Sequence, residues 1–129
     1  MTAFIRSALA MAGAAALAAS ATAQDSYYAV YDVAFFERVA VGEVEITPFG
    51  IIEESRCTDR ELCRKNDRLI IAAVLHSGTA VREIPLVLGR ATRVPGGFLR
   101  LTRSGAEPVR YGAIPLGRYS LDIEYISDY

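Results

Sequence analysis

"RLIIAAVLHSGTAVREIPLVLG", residues 68–89, decides the fold. The run from Leu69 to Leu75 is apolar on both faces. It falls well short of the roughly 20 residues that span a bilayer and suits a strand buried on both sides. "HSGT", His76 to Thr79, follows with the glycine of a tight turn. The chain then resumes with a period of two, putting Ile84, Leu86 and Leu88 on one face. Pro85 cannot donate to a ladder, which predicts an edge position or a bulge there. Residues 68–88 therefore read as a β-hairpin with one central strand.

The same periodicity extends outward. In "RYSLDIEYI", residues 118–126, Tyr119, Leu121, Ile123 and Tyr125 share one face, and Ser120, Asp122 and Glu124 the other. "SYYAVYDVAFF" is rich in aromatic and β-branched residues, and "VAVGEVEITPFG" alternates but changes phase around Gly42, where a bulge or kink is expected. "GGFLRLTRSG" and "VRYGAI" supply shorter pieces between Gly and Pro punctuation. These add up to roughly seven short strands at sandwich-like spacing, an all-β antiparallel β-sandwich. One short helical turn is expected in "TDRELCRK", where Thr58 and Glu61 fit a capping box.

The first residues, "MTAFIRSALAMAGAAALAASATAQDS", have the layout of a secretory signal peptide: Arg6, an Ala/Leu-rich stretch, then Ala21-Thr22-Ala23. Cleavage is expected between Ala23 and Gln24, giving a signal peptide over 1–23 and one β-sandwich domain over 24–129. The apolar run is short for a membrane anchor, so no stable membrane insertion is expected after cleavage. The expected location is the periplasm or the medium of a bacterial cell. Cleavage removes Arg6 and no acid, so the formal charge of −1 becomes −2. A weakly acidic domain without contiguous basic runs speaks against a nucleic-acid partner. Acids dominate residues 24–54, and arginines dominate from Arg56 to Arg118. In one compact domain the two segments are expected to lie side by side and neutralise each other.

Cys57 and Cys63, the only cysteines, sit within "ESRCTDRELCRKND". A structural metal site needs about four Cys or His ligands, and only His76 could join these two, so no metal is expected. A redox pair expects Cys-x-x-Cys at a helix start in a βαβ unit, which is absent from the pattern. In an exported chain the pair reads as a disulfide, Cys57–Cys63, worth about 2 kcal/mol for so short a loop. "SRC…C", followed by a strand, a hairpin, "LRLTR…EPVRYGAI" and a closing "Y-x-L-x-I" strand, resembles a family of small exported bacterial proteins of unknown function. That family carries an S-R-C-P-x-x-x-x-C motif, and Thr58 stands where it usually has Pro. The resemblance implies a small β-rich domain with a disulfide and implies no activity.

Catalytic signals are sparse. His76 is the only histidine, so a Ser-His or Cys-His mechanism must use it, and its strand parity and hairpin position suit a turn-packing role better. No nucleophile elbow, dinucleotide-binding turn or phosphate-binding loop occurs, and no cofactor is expected. The carboxylate pairs Glu43/Glu45 and Asp122/Glu124 share faces but read as solvated surface. The tyrosines Tyr27, Tyr28, Tyr31, Tyr111, Tyr119, Tyr125 and Tyr129 suit a core and sheet surface better than a ligand platform. The arginine and aromatic mixture of "GFLRLTR" and "VRYGAI" suits a protein-contact surface. The expected function is an exported, non-enzymatic accessory or binding module, with another envelope protein as the expected partner. The alternatives are a small hydrolase or ligand-processing enzyme using His76, and a purely structural envelope protein.

Overall fold

The computed structural model describes residues 27–58, 67–109 and 112–128. The expected signal peptide with its Ala23–Gln24 junction, the helical turn expected in "TDRELCRK" from Asp59 onward, and Cys63 lie outside the described residues.

Eight strands form two four-stranded antiparallel sheets. They are β1 (Tyr27–Val33), β2 (Val39–Val41), β3 (Val44–Glu54), β4 (Leu69–Ser77), β5 (Ala80–Val87), β6 (Ala91–Val94), β7 (Gly97–Arg103) and β8 (Leu121–Ser127). One sheet runs β1-β8-β7-β6 and the other β2-β3-β4-β5. The protein is a β-sandwich. Every pairing within a sheet is between sequence neighbours except β1 with β8.

The expected hairpin is present: β4 lies between β3 and β5, and β5, with Pro85, is an edge strand. Gly78, at φ +59, opens its turn. Leu69, Ile71, Ala73 and Leu75 of β4 face Ile46 of β3, Leu86 of β5, and Leu99, Leu101, Leu121 and Ile123 of the other sheet in one buried core. The alternation read in residues 118–126 holds, since Tyr119, Leu121, Ile123 and Tyr125 are all buried. Burial of about ten such side chains at ~1.5–3 kcal/mol each is what offsets chain entropy in a domain of this size.

The strand count differs for three reasons. Gly42 is neither a bulge nor a kink: with Glu43 it forms the two-residue turn joining β2 to β3, so one expected strand is two. Its φ of +60 suits glycine, and a Cβ there would overlap the Tyr125 ring. Residues 91–94, where no strand is expected from the sequence, form β6, closed onto β7 by a Pro95–Gly96 turn. The described part of "VRYGAI" is not strand; it belongs to a loop ending in a 3-10 turn, Leu116–Arg118, that periodicity does not announce. True bulges lie in β3, between Pro48 and Gly50 and between Ile51 and Glu53.

Candidate functional cleft

The two bulges in β3 shift its inward-facing set. Ile46 and Pro48 pair with the buried Leu75 and Ala73 of β4, then Ile51 pairs with Ile71, and Glu54 with Leu69. Each bulge inserts one residue, so the strand's last inward position carries an acid. The Glu54 carboxylate receives two hydrogen bonds from Arg56, Nε at 2.7 Å and Nη2 at 2.9 Å, and a third from the Tyr119 hydroxyl at 2.8 Å. Arg56 also donates to Ser104 Oγ and to the Ala106 carbonyl, each at 2.9 Å. Glu54 belongs to one sheet, whereas Ser104 follows β7 and Tyr119 precedes β8 of the other. The fork of the guanidinium therefore clamps the sheets together at one end.

The neighbours of Arg56 hold the root of the cysteine loop. Ser55 N–H donates to the Arg68 carbonyl at 2.9 Å, its hydroxyl reaches Glu53 at 3.1 Å, and Arg68 pairs with Glu53. The Cys57 N–H donates to Asp67 Oδ1 at 2.8 Å. No free cysteine occurs among the described residues.

A cavity of about 300 Å³ opens beside the clamp, lined by Ile51, Val109, Ile114 and Pro108 with Glu54, Arg56 and Tyr119 as its polar part. A second, of about 550 Å³, shares Pro108, Val109, Ala113 and Ile114 with it and reaches Arg118. The two share a wall formed by the loop that joins β7 to β8, and the first, beside the clamp, is the candidate cleft. The cleft exists because β2 is only three residues long and covers the eleven-residue β3 no further than Ile46. One more backbone bond, Phe36 N–H to the Pro48 carbonyl at 2.7 Å, extends that cover. Phe36 has φ +70 and is 68% exposed, so the chain turns off the β3 edge there. Phe35 packs edge-on to Tyr119, ring centroids 5.4 Å apart.

The clamp groups are poorly suited to proton transfer near neutrality. Burial draws the Glu54 carboxyl upward, but the hydrogen bonds from Arg56 and Tyr119 and the Arg56 charge hold it below the usual carboxylate range. Burial, then the bond to Glu54, pushes Tyr119 up to about 12. The bond to Glu54 raises Arg56 further. At neutral pH the trio is one anion, one cation and one neutral phenol, and a general acid or base works best with a pKa near the operating pH.

The other expected site residues are dispersed. His76 is half-buried at the end of β4 opposite Glu45, in a shallow cavity of about 280 Å³ with Arg38 and Glu43. Among the described residues no hydrogen bond to its ring is found, and Glu45 is paired with Arg38. Ser77 forms the adjacent pair with Ala80 at the turn. No group of three His, Cys, Asp or Glu residues among those described could hold a metal ion. No described helix is long and apolar enough to cross a membrane.

The charge reading is half right. Glu53 and Glu54 meet Arg68 and Arg56, as the segment contrast predicts. Arg93, Arg100 and Arg103 instead pair with Asp128, Glu124 and Asp122 at the C-terminal end of the chain. The "GFLRLTR" face is thus a neutralised ladder on one sheet. Within it Asp122 and Glu124 are not solvated surface: Glu124 is 5% exposed, covered by Arg100 and the Tyr27 hydroxyl at 2.9 Å. Tyr119 and Tyr125 are core, Tyr27, Tyr28 and Tyr31 are exposed, and Tyr111 and Tyr129 lie outside the described residues.

Sequence reading singled out Arg56 only as part of the cysteine motif and missed Glu54, Ser104 and Tyr119 as its partners. No local pattern joins residues 48 to 65 positions apart. Comparisons with protein-family models, curated proteins and solved structures return no match for this chain.

Proposed function

We propose that the protein is an exported, non-catalytic binding module whose ligand contacts the cleft beside the Glu54–Arg56–Tyr119 clamp. The observation that carries the reading is the pairing of apolar walls (Ile51, Val109, Ile114) with polar groups locked into one another and away from neutral pKa values. Such a site offers shape and apolar surface without an acid, base or nucleophile poised for chemistry. The expected partner is another envelope protein. In the same proposal a Cys57–Cys63 disulfide closes the loop rooted at Ser55 and Arg68, and the expected export and signal cleavage supply the oxidising compartment it needs.

The test is capture from envelope extracts by the domain 24–129, compared with Val109→Glu and His76→Ala. Val109 is 46% exposed, so its substitution leaves the core intact. Loss of capture in Val109→Glu with retention in His76→Ala supports the cleft. Capture unaffected by Val109→Glu contradicts it, and an assayable activity lost in His76→Ala favours the hydrolase alternative.

A further inference from the structure

We infer that the cleft is one part of a docking site for an extended polypeptide segment, which adds to sheet β2-β3-β4-β5 as a strand in line with β2, along the outer half of β3. The inference rests on the cleft being the binding site and names the class of ligand it takes.

Four observations converge on it. First, β3 is paired with β4 along its whole length, whereas among the described residues no strand pairs with its other edge beyond Ile46. Residues 49–54 thus present an edge with alternate N–H and C=O groups directed away from β4. Second, the chain's own candidate for that position leaves it: after Phe36 N–H bonds Pro48, the left-handed backbone at Phe36 takes the chain across to β1. Third, Ile51 and Glu54 point inward from this half-edge and line the 300 Å³ cavity. A guest strand there would direct every second side chain into the same space. That volume is at the floor of the ~300–1,000 Å³ range for drug-sized ligands, so it fits an apolar side chain or two better than a whole small molecule. Fourth, two large apolar residues flank the slot with their side chains in solvent, Ile52 at 57% exposure and Phe36 at 68%. They would cover a guest's outward face.

The other free edges are less suitable. β5 presents Arg82, Glu83 and Pro85, which block strand addition, and β6 is four residues long. β1 carries a register shift between Val30 and Val33, which interrupts the regular edge a guest strand needs. The slot on β3 combines a main-chain edge with a side-chain pocket. Glu53 is paired with Arg68 and Glu54 with Arg56, so the slot itself is close to neutral. It therefore favours a guest with apolar residues at alternate positions and few charges.

The test uses the full exported domain and a displayed library of random hexapeptides, with the apolar dye 8-anilinonaphthalene-1-sulfonate as a separate probe of the cleft. The expected result is enrichment of sequences with apolar residues at alternate positions, bound about tenfold or more weakly by Val109→Glu and by Ile52→Lys. N-methylation of a selected peptide on the edge facing β3 should weaken it about tenfold, and on the opposite edge hardly at all, because only one edge bonds the sheet. Binding should also slow amide exchange within residues 49–54. No enrichment, helical binders, or protection that appears on β1 or β5 and not on β3 overturns the inference. Dye that binds wild type but not Val109→Glu, without peptide selection, sinks the strand docking and leaves the cleft standing. If neither dye nor peptide binds, both fall. Ile52 and Val109 are exposed, and a circular dichroism spectrum matching wild type shows that loss of binding is not loss of fold.

Discussion

The chain passes between the sheets at two corners, and the two are closed by different means. At the β5–β6 corner the main chain does it: Leu88 N–H donates to the Leu69 carbonyl in one sheet and Gly89 N–H to the Leu101 carbonyl in the other, at 2.9 and 2.8 Å. At the β1–β2 corner a single backbone bond reaches Pro48, and beyond it, among the described residues, polar links between the sheets come from Glu54, Arg56, Ser104 and Tyr119 through their side chains and from the Ala106 carbonyl. The cleft lies beside the side-chain closure, with Glu54, Arg56 and Tyr119 in its wall. The cleft arises here where a short strand ends.

Removing Arg56 should break this contrast most severely. Arg56→Ala leaves a half-buried Glu54 without its cation and frees Ser104 and the Ala106 carbonyl, at a cost of about 3 kcal/mol. Urea unfolding measures it. Arg56→Lys should recover less than half, because an ammonium cannot make the paired bonds.

Tyr119→Phe removes one buried hydrogen bond and should cost about 1 kcal/mol. It also sharpens the account through pH. Folding raises the Tyr119 pKa from 10.0 to about 12, so its contribution is whole below pH 10 and is lost as pH climbs toward 12. The urea midpoint of wild type should fall over that window more than that of Tyr119→Phe. Glu54 runs the opposite way: folding lowers its pKa, so its contribution is present above the ordinary carboxylate value and is lost as pH drops through the folded one. Arg56→Ala should flatten that acid limb.

At the other corner Gly89→Ala tests main-chain closure. Gly89 has φ +81 with open space where a Cβ would stand, so the cost is backbone strain alone, about 1 kcal/mol, and ligand capture should be unchanged. The smallest effect is expected on the exposed ladder. Arg93→Ala loses a surface pair with Asp128 and a contact over the Phe98 ring, and should shift stability by no more than about 0.5 kcal/mol.

Much of the sandwich was legible because burial imposes a period of two on strands. β5 follows that rule, with Ile84 and Leu86 buried as the alternation picks out; β4 buries every second residue of a run that is apolar throughout, and β8 buries Glu124 as well as Leu121, Ile123 and Tyr125. β3 breaks it twice. After its bulges the inward set passes from Ile46 and Pro48 to Ile51 and then Glu54, so simple alternation puts Ile52 inside, where the fold leaves it exposed. β6 escaped because four residues between turn glycines carry too little pattern. The clamp was out of reach for another reason: apart from the pair of Arg56 with Glu54 two residues away, its bonds join residues far apart in sequence, and nothing nearby shows that Ser104 will meet Arg56 or Tyr119 will meet Glu54. What the motif "SRC" did reveal is a place where several side chains act together, since Ser55, Arg56 and Cys57 each tie the root of the same loop.

The central claim is that β3 is a fully paired strand in its first half and a one-sided edge in its second. Amide hydrogen exchange on the unliganded domain tests it directly. Residues 44–47 should show uniform strong protection, Pro48 carries no amide, and residues 49–54 should alternate between protected amides facing β4 and fast amides facing the slot. Uniform protection across residues 44–54 would mean the edge is already occupied, and the account of the cleft would be wrong.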